Sequence, residues 1–168
     1  MSFFRHSLYL FLSLSLFIPS LAWSYTTDNV ISIQSQSFSE RLAKGVLYHE
    51  DTTGAMSHKE ARKANFIPFD GDTLQMGYTQ SAVWLKFAIT NDLPVNTVSS
   101  LDEHFYLSVR YPLLDQIDLY QYRGSHTKKL TVGDIIPFHQ RPLNINNFVF
   151  PMSISSGETL EILIRVQS

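Results

Sequence analysis

The sequence predicts an all-β domain: a jelly-roll-like antiparallel β-sandwich with one short helix. Three observations carry that expectation. Apolar and polar residues alternate with period two over much of the chain after Val30. Turn chemistry interrupts the alternation at roughly ten-residue intervals, the spacing of short strands in a sandwich. Twelve Phe and eight Tyr against only seven Gly supply enough apolar surface to offset the entropy of ordering the chain.

The elements follow in order. Residues 1–24 read as a secretory signal peptide: Arg5-His6, an apolar run from Leu8 to Ile18, a Pro19-Ser20 break and the small-x-small site Ala22-Trp23-Ser24. The apolar run is about half of the roughly 20 residues that span a bilayer, which disfavours a permanent anchor. Cleavage after Ser24 leaves a domain of residues 25–168 outside the cytoplasm, in the periplasm. Val30–Ile33 and Gly45–His49 are short strand candidates, with a helical turn or a loop over 38–44. Ser57 followed three residues later by Glu60 is a capping box, so a helix is expected over 57–64.

Stronger strands follow. Val83, Leu85, Phe87 and Ile89 alternate with Trp84, Lys86, Ala88 and Thr90. Phe105, Leu107, Val109 and Tyr111 alternate with Tyr106, Ser108 and Arg110, and Ile117 and Leu119 with Asp118, Tyr120 and Tyr122. Leu160, Ile162, Ile164 and Val166 form a last apolar row. Such alternation sends one set of side chains into a core and the other to the opposite face. Turns are expected at Asn91–Pro94, Arg123–Ser125, Gly133-Asp134 and Ser155–Glu158.

Composition excludes several classes. The chain carries a formal charge of −2, and −3 once Arg5 leaves with the signal, so it has no electrostatic footprint for nucleic acid. With no cysteine there is neither a disulfide framework nor a thiolate metal site. Catalysis finds little support: Gly-x-Ser-x-Gly, His-Glu-x-x-His and a glycine-rich phosphate loop are all missing. Asp115 and Asp118, three apart on an extended strand, point to opposite faces and cannot pair across a cleft. A non-enzymatic domain without cofactor is expected. A periplasmic hydrolase on a sandwich scaffold would have to assemble its site from residues distant in sequence.

A series of motifs resembles one family. Ser57-His58-Lys59-Glu60 is followed by Phe66-Ile67-Pro68-Phe69, Gly77-Tyr78-Thr79, Val83-Trp84-Leu85-Lys86-Phe87, Asn91 and Tyr111-Pro112. Then come Leu114-Asp115-Gln116-Ile117-Asp118-Leu119-Tyr120, Gly133-Asp134, Pro137-Phe138, Arg141-Pro142, Phe148-Val149-Phe150-Pro151, Gly157 and Leu163-Ile164-Arg165-Val166. In order and spacing these are similar to the type 2 extracellular domain of bacterial seven-transmembrane receptors with diverse intracellular signalling modules. The likeness runs over most of Val46–Ser168. It implies a sandwich like that of carbohydrate-binding modules, facing the periplasm and preceding membrane helices of the same receptor. It further implies sensing of a small molecule. Where the family usually carries Arg, this chain has Lys86, which keeps the charge and loses the planar fork. A free-standing exported carbohydrate-binding module is the alternative.

Strand parity proposes where a ligand would sit. Opposite the apolar rows stand Trp84, Lys86, Tyr106, Arg110, Asp118, Tyr120 and Tyr122, flat rings and charges suited to a small ligand of carbohydrate or carboxylate type. The structural alternative packs Trp84 under a loop and leaves the Tyr rings on a solvated face. A second candidate is the loop Gly133–Arg141 with Asp134 and Arg141; its structural alternative has Asp134 closing a turn and Arg141 pairing with a carboxylate to hold the loop. His49-Glu50-Asp51 and His104 lack metal-ligand spacing and read as solvated strand ends. Arg123, Lys128 and Lys129 read as a solvated charge run at a hairpin tip.

Overall fold

The computed structural model describes residues 30–35, 39, 42, 45–71, 79–94, 103–110, 113–143 and 145–168. The signal peptide of residues 1–24, most of 38–44, and the Gly77-Tyr78 and Tyr111-Pro112 steps lie outside the described residues. Among the described residues nine strands and a short helix follow one another: β1 Val30–Ile33, β2 Leu47–Asp51, α1 His58–Ala61, β3 Ile67–Pro68, β4 Ala82–Asn91, β5 Glu103–Val109, β6 Gln116–Arg123, β7 His126–Val132, β8 Phe148–Ile154 and β9 Thr159–Gln167.

Seven of the strands form one sheet, in the order β3-β2-β4-β9-β6-β7, with β1 added on β4. β2 and β1 share one edge of β4. β2 pairs antiparallel with Ala82–Lys86, and β1 pairs parallel with Ala88–Asn91. β5 and β8 form a second, antiparallel pair. The fold is therefore β-rich and antiparallel as expected, except for the parallel β1–β4 contact.

The two layers close on one apolar core. Phe87 and Ile89 from β4, Ile117 and Leu119 from β6, and Leu160, Ile162 and Ile164 from β9 meet Phe148, Phe150, Met152 and Ile154 from β8. Phe105, Leu107 and Val109 of β5 pack against the same cluster. These are the rows that period-two alternation assigns to the interior, and each fully buried side chain contributes on the order of 1.5–3 kcal/mol. Buried polar side chains also join the layers. Asn91 donates to the Ile154 carbonyl at 2.8 Å while its own oxygen accepts from Leu93 N. Gln121, buried on the core side, donates to the Pro151 carbonyl at 3.5 Å.

The helix begins where the capping box places it. Ser57 Oγ accepts from Glu60 N, and the Glu60 carboxylate accepts from Ser57 N at 2.9 Å. Its regular turn is only four residues long, shorter than expected from the polar run over 57–64, and it continues in backbone turns to Ala64. Ala61 is fully buried beneath it.

Candidate functional site

The outer face of the larger sheet is built in rows by strand register. One row reads Thr131, Asp118, Arg165, Trp84 and His49; the next reads Lys129, Tyr120, Leu163, Lys86 and Leu47. A third sets Tyr122 opposite Glu161. Trp84, Lys86, Asp118, Tyr120 and Tyr122 are thus brought together as parity requires. Tyr106 and Arg110 are not among them, because β5 belongs to the other sheet. Tyr106 stands exposed on the outer side of β5 and Arg110 just beyond its end.

The face is covered. The segment running through α1 lies across it, and Trp84, Tyr120, Tyr122, Leu163 and Ala61 form a second buried cluster, with Met56 and Phe66 packed against it. Trp84 is 0% exposed. His58 stacks on Tyr120, ring centroids 4.7 Å apart and 12° from parallel, and Tyr120 in turn lies 6.1 Å from Trp84. His58 Nδ1 sits 2.8 Å from the Tyr122 hydroxyl. The Arg62 guanidinium lies 4.2 Å above the Tyr122 ring and forks onto Glu161, with Nε 3.0 Å from Oε1. The structural alternative anticipated from parity, Trp84 under a loop with the Tyr rings on a solvated face, differs from what is seen. Trp84 lies under a helix, and the Tyr rings are sheltered.

Charge in this layer is concentrated and sheltered. Burial, together with the nearby Arg62 cation, lowers the Lys86 ammonium to a pKa of about 8 despite the opposing pull of Glu161. Its Nζ donates to the Arg62 carbonyl at 3.4 Å and lies 5.2 Å from the Phe66 ring centre. Burial likewise pushes the Tyr122 phenol up to about 12. His58 is held below its usual range, first by burial and then by the Lys59 and Lys129 cations. Asp118 accepts from Gln116 Nε2, from Thr131 Oγ1 at 2.7 Å and from Lys129 Nζ at 3.0 Å. Arg165 donates to the Gly54 carbonyl at 2.7 Å and fastens the start of the covering segment. Trp84 Nε1 is buried with no hydrogen-bond partner, an exception to the usual pairing of buried donors.

Several side chains read as solvated from sequence prove to be structural. Asp51 is buried and caps the turn before α1, accepting from Thr53 N, Gly54 N and Met56 N. Burial opposes ionisation of its carboxyl, and those donors outweigh it, so its pKa is lowered. Arg123 pairs with Glu158 at 2.6 Å and donates to the Ser153 carbonyl. Lys129 pairs with Asp118, and Arg123, Lys128 and Lys129 are all exposed as expected of the hairpin tip. His58, Arg62, Glu161 and Arg165 complete the covered face and were not singled out from sequence. His58 and Arg62 sit four apart on the capped helix, a spacing that puts both on one face.

Asp134 and Arg141 occupy the other candidate region. Asp134 N donates to the Leu114 carbonyl at 2.9 Å, and the side chain is exposed. Arg141 holds the loop through carbonyls instead of a carboxylate, donating to Gly133 O at 3.1 Å and Ile136 O at 3.3 Å. Its guanidinium also lies 5.3 Å from the Phe148 ring centre. Among the described residues no three His, Asp or Glu side chains gather to hold a metal ion.

A two-layer β domain with a capped helix clamped over an aromatic, charged sheet face has the architecture of a binding or sensing module. The chain belongs to the 7TMR-DISM extracellular 2 family, whose model matches residues 43–168. That family is the extracellular sensing domain of seven-transmembrane receptors. No curated protein matches the chain. Among the described residues no helix is long and apolar enough to cross a membrane.

Proposed function

We propose that this domain senses a small molecule of carbohydrate or carboxylate type in the periplasm and reports it to transmembrane helices of the same receptor. The observation that carries this reading is the polar clamp that holds α1 over the aromatic bed. His58, Arg62 and the Gly54 carbonyl grip Tyr120, Tyr122, Glu161 and Arg165 through contacts that a ligand can exchange for its own. Most buried sheet faces are sealed by apolar contacts alone; this one is sealed partly by charge. Lys86, Arg62, Arg165 and Lys129 outnumber Glu161 and Asp118 there, which favours an anionic group over a neutral one.

In this reading the ligand slides beneath or beside α1, stacks on Tyr120 or Trp84 and draws on the cations. It shifts the balance between a clamped and a lifted helix by its differential affinity for the two and no more. A free-standing carbohydrate-binding module would have the same covered rings, and membership of a receptor domain family is what favours the sensing reading. The role is binding without turnover, with no cofactor.

The chain provides its own reporter. Its two Trp are Trp23 and Trp84, so removal of the signal peptide leaves Trp84 alone under the helix. A panel of monosaccharides, uronic acids and small carboxylates is to be titrated into the purified exported domain, following Trp84 emission and melting temperature. One class is expected to move both, and Arg62→Ala to weaken its affinity at least tenfold. If every compound leaves both signals unchanged, the sensing reading fails.

A further inference from the structure

The end of the molecule where β9 runs out is lined with apolar turn tips. β5 and β7 finish there at Val109 and Val132, β6 and β8 start there, and Gln167 of β9 pairs with Gln116. On the connections between these strands, Leu113 is 68% exposed, Ile135 62%, Phe138 46% and Ile145 43%. Ile67 and Tyr106 are also exposed but stand elsewhere, on the edge strand β3 and midway along β5.

These tips are presented on a braced scaffold. Asp134 N and Ile135 N donate to the carbonyls of Leu114 and Asp115, at 2.9 and 3.3 Å, so the two connections that carry Leu113 and Ile135 lie side by side. Ser168 Oγ donates to the Leu113 carbonyl at 3.2 Å. Arg141 ties Gly133 and Ile136 together and lies 5.6 Å from the ring centre of Phe138. Between the apolar tips stand exposed Arg110, Asp115, Asp134 and His139. Large apolar side chains gathered at one end of a domain mark an interaction surface.

We propose that this end rests on the lipid surface of the membrane that holds the receptor, with Leu113, Ile135, Phe138 and Ile145 entering the boundary between headgroups and acyl chains. Three observations favour lipid over a protein groove. The apolar groups come from two neighbouring connections and share this end with exposed polar residues, which suits a soft, amphipathic interface more than a shape-complementary one. Acidic and basic groups nearly balance here, so attachment does not depend on anionic lipid. The chain belongs to a family of extracellular domains of membrane receptors, which sets a bilayer beside the domain. The docked end would fix the sandwich relative to the bilayer, leaving α1 on a flank free to move. The proposal rests on receptor membership and is independent of any small-molecule ligand.

The test is sedimentation of the purified exported chain with phosphatidylcholine vesicles, alone and with phosphatidylglycerol. Partitioning onto both, little changed by salt, is the expected result. L113S/I135S/F138S/I145S is expected to lose at least about tenfold in partitioning, from the apolar area withdrawn, while I67S/Y106S partitions like the wild type. Slowed hydrogen exchange over residues 133–147 in the unaltered chain on adding vesicles is the variant-independent sign. Absence of partitioning, equal loss in both variants, or exchange unchanged by vesicles would overturn the proposal. So would concentration-dependent self-association without lipid that the fourfold variant abolishes, which would give the end to a second copy. Ligand titration of Trp84 reads a separate property, so failure here leaves the sensing reading standing.

Discussion

Trp84 holds the covered face at its centre, and its truncation tests what that face is for. The ring is wholly buried between Tyr120 and the segment around α1, so Trp84→Ala removes a large core side chain and is expected to cost about 3–5 kcal/mol. Denaturant unfolding would show it, and a loss below 1 kcal/mol would mean that the face repacks freely. Gly133 has a different importance. Its φ is 152°, and a Cβ there would collide with the Asp115 carbonyl oxygen and come within 2.8 Å of Gln116 Cα. Both neighbours are backbone and cannot swing aside, so Gly133→Ala is expected to destabilise by at least about 1–3 kcal/mol. It should also part the two connections that carry Leu113 and Ile135, with faster hydrogen exchange at Asp134 N and Ile135 N.

At the scale of elements, α1 is a four-residue helix that survives because of its cap and its underside. Ser57→Ala removes one capping hydroxyl and is expected to cost about 1 kcal/mol. Its clearest effect should be local: Trp84 emission shifting red and faster proteolysis within 52–66, while the melting of the sheet changes little. A cap is written in neighbouring residues, which is why Ser57 and Glu60 announce this helix in the sequence. The apolar rows of β4, β6 and β9 are equally local, since alternation alone decides their faces. What alternation cannot say is which sheet a strand joins or what covers its second face. Tyr106 and Trp84 have the same parity relative to their apolar rows, yet one is open to solvent and the other lies under a helix distant in the chain. Glu161 and Arg62 meet across 99 positions, and no local pattern carries that pairing. Of the candidate site, Trp84, Lys86, Asp118, Tyr120 and Tyr122 were legible from strand parity, whereas His58 and Arg62 at the helix and Glu161 and Arg165 on β9 were not.

For the whole molecule the sheltered charges set a pH window. Lys86 is charged in both folded and unfolded chains below about 8, where the folded state bears the cost of burying it. Between about 8 and the ordinary value of 10.5 the folded chain gives up the proton first, so this contribution to stability rises with pH. Tyr122 acts oppositely: above 10 the unfolded phenol ionises first, and stability falls as pH climbs towards about 12. His58 has a lowered folded pKa, so its contribution is intact above 6.5 and is lost as pH falls below that value. Melting temperature is therefore expected to decline below pH 6.5, to rise from pH 8 and to turn over above 10. Lys86→Met should erase the rise from pH 8 and leave the other two limbs.

The position of β9 has a mechanical consequence. It is the last of the described strands, yet it lies inside the sheet, with β4 paired along one side from Val83 to Thr90 and β6 along the other from Gln116 to Tyr122. A force applied at Gln167 along the strand loads both ladders at once and in shear, so many hydrogen bonds resist together instead of opening one after another. Tension entering at that point spreads into β4 and β6, which carry Trp84, Tyr120 and Tyr122. Pulled in a single-molecule experiment between Asn91 at the end of β4 and Gln167 at the opposite end of β9, the domain should hold to high force and then yield in one step, as a stiff strut would.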